Sequence, residues 1–355
     1  MAFRISIETV WRFTQERNGA SLLVMLDFLN EIRATGKITQ AAERADVSYR
    51  HAWNLIEKWS EFFGTPLVQR HQGRGTQLTN FGERLVWAGQ RLEARLGPQL
   101  QNLAQELESE INTLLQAGDV VRIHCSHGFA VSALRELLAR DEGLRVDFRY
   151  VGNANAPTSL AHGACDLAGM HLPQGELRSR SVAAWRDALS PDEHRMIGFV
   201  TREMGLIVRK GNPLGIDSLR RLLDPAVRFV NRDPESGTRV LFDELLAHQG
   251  LDGSRIEGYK DVEFTHAAVA AYVASGMADA SFGVKAAAHQ FDLGFVPVVT
   301  EDYVFVCHQR NLENPAVQRI LEVMRSEAFA TAIAALPGYS AREPGVVGSV
   351  SGMLE

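Results

Sequence analysis

Apolar residues recur at helical spacing through residues 21–35, SLLVMLDFLNEIRAT, and the run stops before Gly36, which predicts an amphipathic helix. A short strand is predicted ahead of it, over residues 4–13. From residue 81 to residue 115 the helical period continues. Leu85, Leu92, Leu96, Leu100, Leu103, Leu107, Ile111 and Leu114 fall in near-heptad steps, and Gly97-Pro98 is predicted to kink the helix. A small domain cannot bury a stripe of that length. The helix of a second copy is its simplest cover; the bland alternative is packing on its own chain.

After QAGD the period changes. VVRIHC reads as a strand, GFAVSALRELLAR as a helix, LRVDFRYV as a strand, and SLAHGACDLAGMHL as a helix leading into a strand. The alternation resumes in GLIVRK, SLRRLL, VRFVN, TRVLFDELLAHQG, AAVAAYVASGMADASFGV and VFVCHQ. Such alternation predicts an α/β architecture with a mostly parallel sheet, and its length predicts two lobes. The Gly/Ser/Val-rich tail after Gly338 is expected to be poorly ordered.

Within the first third, ITQAAERADVSYRHAWNLIEKW compresses two helices around a very short turn. With Ser48 as N-cap, Ala52, Leu55, Ile56, Trp59 and Phe63 fall on an inward face, and Arg50, Trp53, Asn54, Glu57 and Lys58 largely on the other. A short alanine-rich helix over residues 40–45 precedes the turn, and Asp46 sits where a left-handed residue is needed. This is the anatomy of a helix-turn-helix, whose second helix enters the major groove of DNA. Arg50 suits guanine or phosphate, Asn54 suits adenine, and Ser48 and Tyr49 suit phosphates. Thr39, Gln40, His51 and Trp53 complete the expected DNA-facing set. Two extended pieces then flank HQGRG, a β-wing whose Arg70 and Arg74 carry its charge. The competing reading is a plain helical hairpin with a basic loop.

In the α/β part, three helix starts carry donors suited to an anion. They are Ser236-Gly237-Thr238 followed by Arg239, Ser126-His127, and Thr265-His266, with Asn231, Lys285 and Tyr303 as further candidates around an interlobe cleft. Ordinary N-capping explains any one of these starts equally well. Asp233 and Glu235 would repel a dianion if they point inward.

Composition narrows the classes. The 355 residues are 45% hydrophobic and 23% charged, as in ordinary globular proteins, and give room for two domains. The net charge of −6 argues against non-specific coating of nucleic acid but not against a local DNA-binding face. Cys125, Cys165 and Cys307 have no metal-ligand or disulfide spacing. No metal or cofactor is expected. The absence of a signal-like start or a membrane-length apolar run leads us to expect a cytoplasmic protein without membrane partners. Ser126-His127 lacks an orienting acid, so no catalytic residue is expected, and His162 and His171 read as structural or surface residues.

VSYRHAWNLIEKW followed by LVQRHQGRGTQLTNFGERL resembles the N-terminal winged helix of ModE molybdate-responsive regulators and, more distantly, LysR-type regulators. The resemblance covers about residues 20–116 and implies DNA contacts at Ser48, Tyr49, Arg50, Trp53 and Arg74, with dimerisation through the long helix. DLAGMHLP, GLIVRKGNP, FVNRDPESGTR and HAAVAAYVASGMADASFGV are similar to the periplasmic-binding-protein-like domain of one-component regulators, over residues 120–340. ModE itself carries small β-rich molybdate modules instead, so the effector does not transfer directly.

Together these features predict a winged helix-turn-helix over residues 1–80, a dimerisation helix over 81–118 and a two-lobed effector domain over 119–340. Its second lobe is placed at about 200–295, with a tail over 341–355. The expected protein is a transcriptional regulator, dimeric or tetrameric, on an inverted-repeat double-stranded operator. Its effector is a small anion: molybdate or tungstate first by resemblance, formate or another small carboxylate as the alternative. A transport binding protein and an enzyme are the competing classes.

Overall fold

The computed structural model describes residues 5–10, 12–15, 18–21, 23–71, 75–114, 120–141, 143–152, 155–183, 185 and 188–351. Its contacts fall into two compact units, one of Glu8–Gly97 and one that joins Ile5–Ile7 to Pro98–Glu355.

The first unit opens with a hairpin, β1 (Arg12–Gln15) and β2 (Asn18–Ser21). Then come α1 (Leu23–Thr35), α2 (Ile38–Arg44), α3 (Tyr49–Phe63), and a wing of β3 (Val68–His71) and β4 (Gly75–Leu78). The strand expected over residues 4–13 is therefore corrected. Residues 5–10 carry no strand, and pairing begins at Arg12, opposite Ser21. Met25, Phe28, Leu29 and Ile32 of α1 meet Ala41 and Ala42 of α2 and Ala52, Ile56 and Trp59 of α3 in one core. The alanines leave room for the helices to approach, and each large side chain so buried contributes about 1.5–3 kcal/mol. Leu55 and Phe63 are only partly buried at the edge of that core. Asp46 adopts φ 51° at the turn between α2 and α3. Gly75 starts the returning wing strand at φ 81°, where an added Cβ would lie 2.5 Å from the Gly36 carbonyl oxygen. Only glycine fits that approach, which lets the Thr76 N–H donate to Gly36 O at 2.9 Å and tie the wing to α1.

α4 (Asn80–Leu114) is helical without a break through Gly97-Pro98. Leu103, Leu107 and Ile111 on its second half are 51%, 45% and 37% exposed, while Ala104 is buried. The second half thus presents three apolar side chains, one helical turn apart, that stay exposed among the described residues.

The second unit runs β5 (Val121–Cys125), α5 (Phe129–Leu138), β6 (Val146–Tyr150), α6 (Asn155–Ala161), β7 (Leu167–Pro173), α7 (Arg178–Ala183) and β8 (His194–Val208). It continues with β9 (Phe229–Arg232), α8 (Gly237–His248), β10 (Val262–Glu263), α9 (His266–Ala274), β11 (Ala280–Val284), α10 (Lys285–Gln290) and β12 (Gly294–His308). Two helices, α11 (Pro315–Arg325) and α12 (Glu327–Ala334), and two short strands, β13 (Tyr339–Ala341) and β14 (Val347–Ser349), complete it. SLRRLL forms a 3-10 turn, Leu219–Leu223, rather than an α-helix.

The strand order is β10-β9-β11-β8-β12-β7-β5-β6. β5, β6 and β7 pair in parallel in one lobe, and β9, β10 and β11 in the other. The two 15-residue strands β8 and β12 are antiparallel to each other and run through both lobes. The expectation of a mostly parallel sheet is thus corrected to a mixed one. GLIVRK and VFVCHQ overlap the ends of those two long strands, where buried residues follow one another without alternation. The tail is also corrected. β13 and β14 both pair with β8, Arg342 donates to Asp302, and Arg325 Nη2 donates to Gly345 O at 2.6 Å. All three cysteines are buried and free, and burial raises each thiol pKa to about 12.

Candidate functional site

The helix-turn-helix face is built locally. Ser48 caps α3, its hydroxyl accepting the His51 N–H at 3.2 Å. Thr39, Gln40, Ser48, Tyr49, Arg50, His51 and Asn54 are all exposed, so none of the described residues occupies the expected reading face. Trp53 is different. It is half-buried, packs against the core, and stands edge-on to Tyr49 with ring centroids 6.4 Å apart. The Arg70 guanidinium lies 4.3 Å from the Trp53 ring centre and donates to the Tyr49 hydroxyl at 3.0 Å. Wing and recognition helix are thereby locked through a cation–π contact and a hydrogen bond. Arg74, the other expected wing contact, lies outside the described residues.

In the second unit the loops at the carboxyl ends of the parallel strands face each other across the two lobes, where open α/β sheets bind ligands. An added Cβ on Gly152, after β6, would lie 2.8 Å from the Glu235 carbonyl oxygen, after β9. Glu176 of the first lobe approaches His248 of the second at 3.4 Å.

Several expected donors are already engaged. The Ser236 hydroxyl accepts the Arg239 N–H at 3.2 Å and donates to Asp233 O at 2.7 Å, and Thr265 accepts the Ala268 N–H at 2.9 Å. Both therefore act as N-caps. Arg239 turns along its own helix to Asp243 at 2.9 Å and lies 4.2 Å over the Tyr259 ring. Lys285 pairs with Glu203 at 3.0 Å. Asn231 donates to Tyr259 O at 3.2 Å and accepts the Arg232 N–H at 2.9 Å. Glu235 is exposed, and Asp233 turns its carboxylate to the Glu235 N–H at 2.9 Å.

The charge that remains is Arg232, which the sequence reading passed over. It closes β9, is 6% exposed, and uses Nη2 on Phe264 O at 2.9 Å. Its Nε and Nη1 are buried with no hydrogen-bond partner. Burial, then Arg202, pull its pKa down from the ordinary value. A guanidinium keeps its proton even so, and its two free nitrogens can donate to an anion.

Around it stand histidines from both lobes. His266, the first residue of α9, has a buried Nδ1 without a partner and Nε2 3.5 Å from Thr238 Oγ1. His171 of β7, far from being a surface residue, is buried against Tyr303 with ring centroids 3.9 Å apart. His127 follows β5 and lies edge-on to Tyr150 at 5.0 Å. Burial, then the charge of Arg232, lower the pKa of His127 to about 4. Burial, then neighbouring arginines, hold His171 and His266 well below the ordinary histidine range, with Arg232 acting on both. Arg202 is neutralised by Glu301 at 2.8 Å, both 2% exposed.

Tyr303 sits at a β-bulge of β12, and its hydroxyl accepts the Ser126 N–H at 3.2 Å. Gly169 makes this possible, since a Cβ there would meet Tyr303 Oη at 2.6 Å and Cys125 Cβ at 3.0 Å. Gly169→Ala is expected to displace the ring and cost about 1–3 kcal/mol by overpacking. Urea unfolding checks this, and an unchanged midpoint would show that the ring is free to move aside.

The chain joins a winged helix-turn-helix to a two-lobed α/β domain. The chain belongs to the PBP superfamily, whose domain it matches over residues 134–325, more than half its length. It also matches the bacterial regulatory helix-turn-helix of the lysR family over residues 23–83. It is 32% identical over 199 residues to the uncharacterized protein YvgK of Bacillus subtilis (strain 168), covering 56% of this chain and 64% of that protein. It is 33% identical over 122 residues to the molybdenum transport protein ModE of Azotobacter vinelandii, covering 33% and 44%. The chain thus spans less than two thirds of either relative. Full-length BenM, a solved structure, aligns at 16% identity and TM-score 0.43 over 84% of this chain and 94% of its own.

Proposed function

We propose that this protein is a DNA-binding transcriptional regulator whose second unit senses a small oxyanion, with molybdate or tungstate first. The observation that carries the reading is Arg232, buried with two unpartnered guanidinium nitrogens among histidines of both lobes. The relation to ModE of Azotobacter vinelandii favours the metal oxyanions. Arg232 takes the central place expected of Arg239, with Ser126, His127, Thr238, His266 and Tyr303 around it. Anion binding shifts the protein between states only by its differential affinity for them.

In the first unit, Arg50, Asn54, Tyr49 and Ser48 meet the operator, and Arg70 positions Tyr49 and Trp53. The uncovered Leu103, Leu107 and Ile111 of α4 suit pairing with a second copy, and a two-fold dimer reads an inverted repeat.

The test is thermal unfolding of the full chain against molybdate, tungstate, sulfate, phosphate, formate and acetate. A ligand that binds only the folded state raises the midpoint with concentration. Selective shifts with the oxyanions are expected, whereas a shift with formate alone would make the protein a carboxylate sensor. For DNA, Arg50→Ala is expected to cost about 1–3 kcal/mol of affinity for duplexes selected by the full-length protein. Fluorescence anisotropy measures this, and unaltered affinity would remove Arg50 from the reading face.

A further inference from the structure

We propose that the cleft takes a doubly charged oxyanion together with one proton, and that His127 carries that proton. The inference rests on the effector reading above and extends it to the charge state of the ligand and to regulation by pH.

The argument begins with a charge count. Arg232 is the buried guanidinium in the cleft with free donors, because Arg202 is neutralised by Glu301. One such charge balances a monoanion. A dianion beside it leaves a negative charge uncompensated among buried side chains, which is costly. Beyond the fixed charges of Arg232 and Arg135, the groups there that can gain a positive charge are the histidines.

Geometry separates the three. His171 is packed against the Tyr303 ring with centroids 3.9 Å apart at a 34° tilt, and is buried under the charges of Arg202 and Arg232. His266 is equally buried and feels both arginines together with the other two histidines. His127 is only half-buried and lies on the first lobe, opposite Arg232 of the second. The titratable and charged groups facing it are Arg135 from α5, Tyr150 from β6, Arg232 from β9 and His266 from α9. Their net field is positive, so in the free protein the ring is neutral at neutral pH. A dianion seated on Arg232 cancels the main source of that field and reverses its sign.

The linkage then has a definite direction. The ligand raises the His127 pKa from its free value of about 4, so the complex binds more protons than the free protein. Affinity rises as pH falls below the pKa of the complex, by up to about tenfold per pH unit, and levels off once the free ring is also protonated. A monoanion such as formate is balanced by Arg232 alone and shows no such slope.

The experiment is calorimetric titration of the full chain with molybdate, sulfate and formate between about pH 5.5 and 8, in two buffers of different ionisation heat. Expected are uptake of about one proton with the oxyanion that binds, a matching pH slope, and a flat profile in His127→Gln. Histidine-selective NMR of the unaltered protein gives an independent readout: the His127 ring should become protonated when molybdate is added. A pH-independent affinity that still depends on Arg232 would overturn the proton step and leave the anion site standing. A slope that survives in His127→Gln would overturn the assignment to His127. Binding indifferent to Arg232→Gln, or no binding of any anion, would overturn the effector reading and this inference with it.

Discussion

Arg232→Gln is expected to abolish anion-dependent stabilisation without weakening the ligand-free protein. In the free state the guanidinium is buried, 6% exposed, with Nε and Nη1 unpartnered. A buried charge without a counter-ion costs several kcal/mol, so a neutral side chain that keeps one donor for Phe264 O should leave stability unchanged or raised. In the complex the same two nitrogens are the best charge-assisted donors in the cleft. Hydrogen bonds to charged groups contribute about 1.5–3 kcal/mol each, so losing two lowers anion affinity by roughly 10²-fold or more. Thermal unfolding with and without ligand reads both effects. A variant that is unstable alone but keeps its anion response would make Arg232 a structural residue and move the effector elsewhere.

Arg239 stands out in the sequence where Arg232 does not. Arg239 follows a Ser-Gly-Thr run at a helix start, a local signal for an anion site. An equally local signal stood against it: Asp243 is four residues on, a spacing that pairs charges along a helix, and the structure shows that pair at 2.9 Å. Arg232 carries no local signal beyond its place at the end of a buried strand. Its meaning depends on a loop more than a hundred residues earlier, where His127 follows β5, and that is a matter of lobe topology.

The helix-turn-helix was legible because its determinants lie within a few residues of one another. The Ser48 cap, the left-handed Asp46 and the inward Ala52, Ile56 and Trp59 all stand where the pattern puts them. Trp53 was only half legible. Its helical face suggested DNA, while its packing beneath Arg70 required a wing strand seventeen residues away in sequence. The tail failed for the opposite reason. Its glycines and serines suggested disorder, yet β13 and β14 take their order from β8, well over a hundred residues earlier.

The second large effect concerns the strands that join the lobes. Arg202 and Glu301 are register partners on β8 and β12, paired at 2.8 Å with both side chains 2% exposed. Removing one member of such a pair leaves the other charged in the interior and typically costs about 3–5 kcal/mol. Glu301→Gln should therefore destabilise the ligand-free protein by that order, measured by urea unfolding. It also frees the Arg202 charge, which already acts on His171, His266 and Arg232. An oxyanion in the cleft would partly compensate it, so the stabilisation by ligand should grow in the variant even as the fold weakens. Replacing both partners, Arg202→Met with Glu301→Leu, removes the charges together. A buried ion pair is often no better than well-packed apolar residues, so the double variant should recover most of the lost stability. It should also keep an anion response, because Arg232 is untouched. Loss of that response with stability restored would mean that Arg202 itself supplies charge to the ligand, and the charge count in the cleft would then be two.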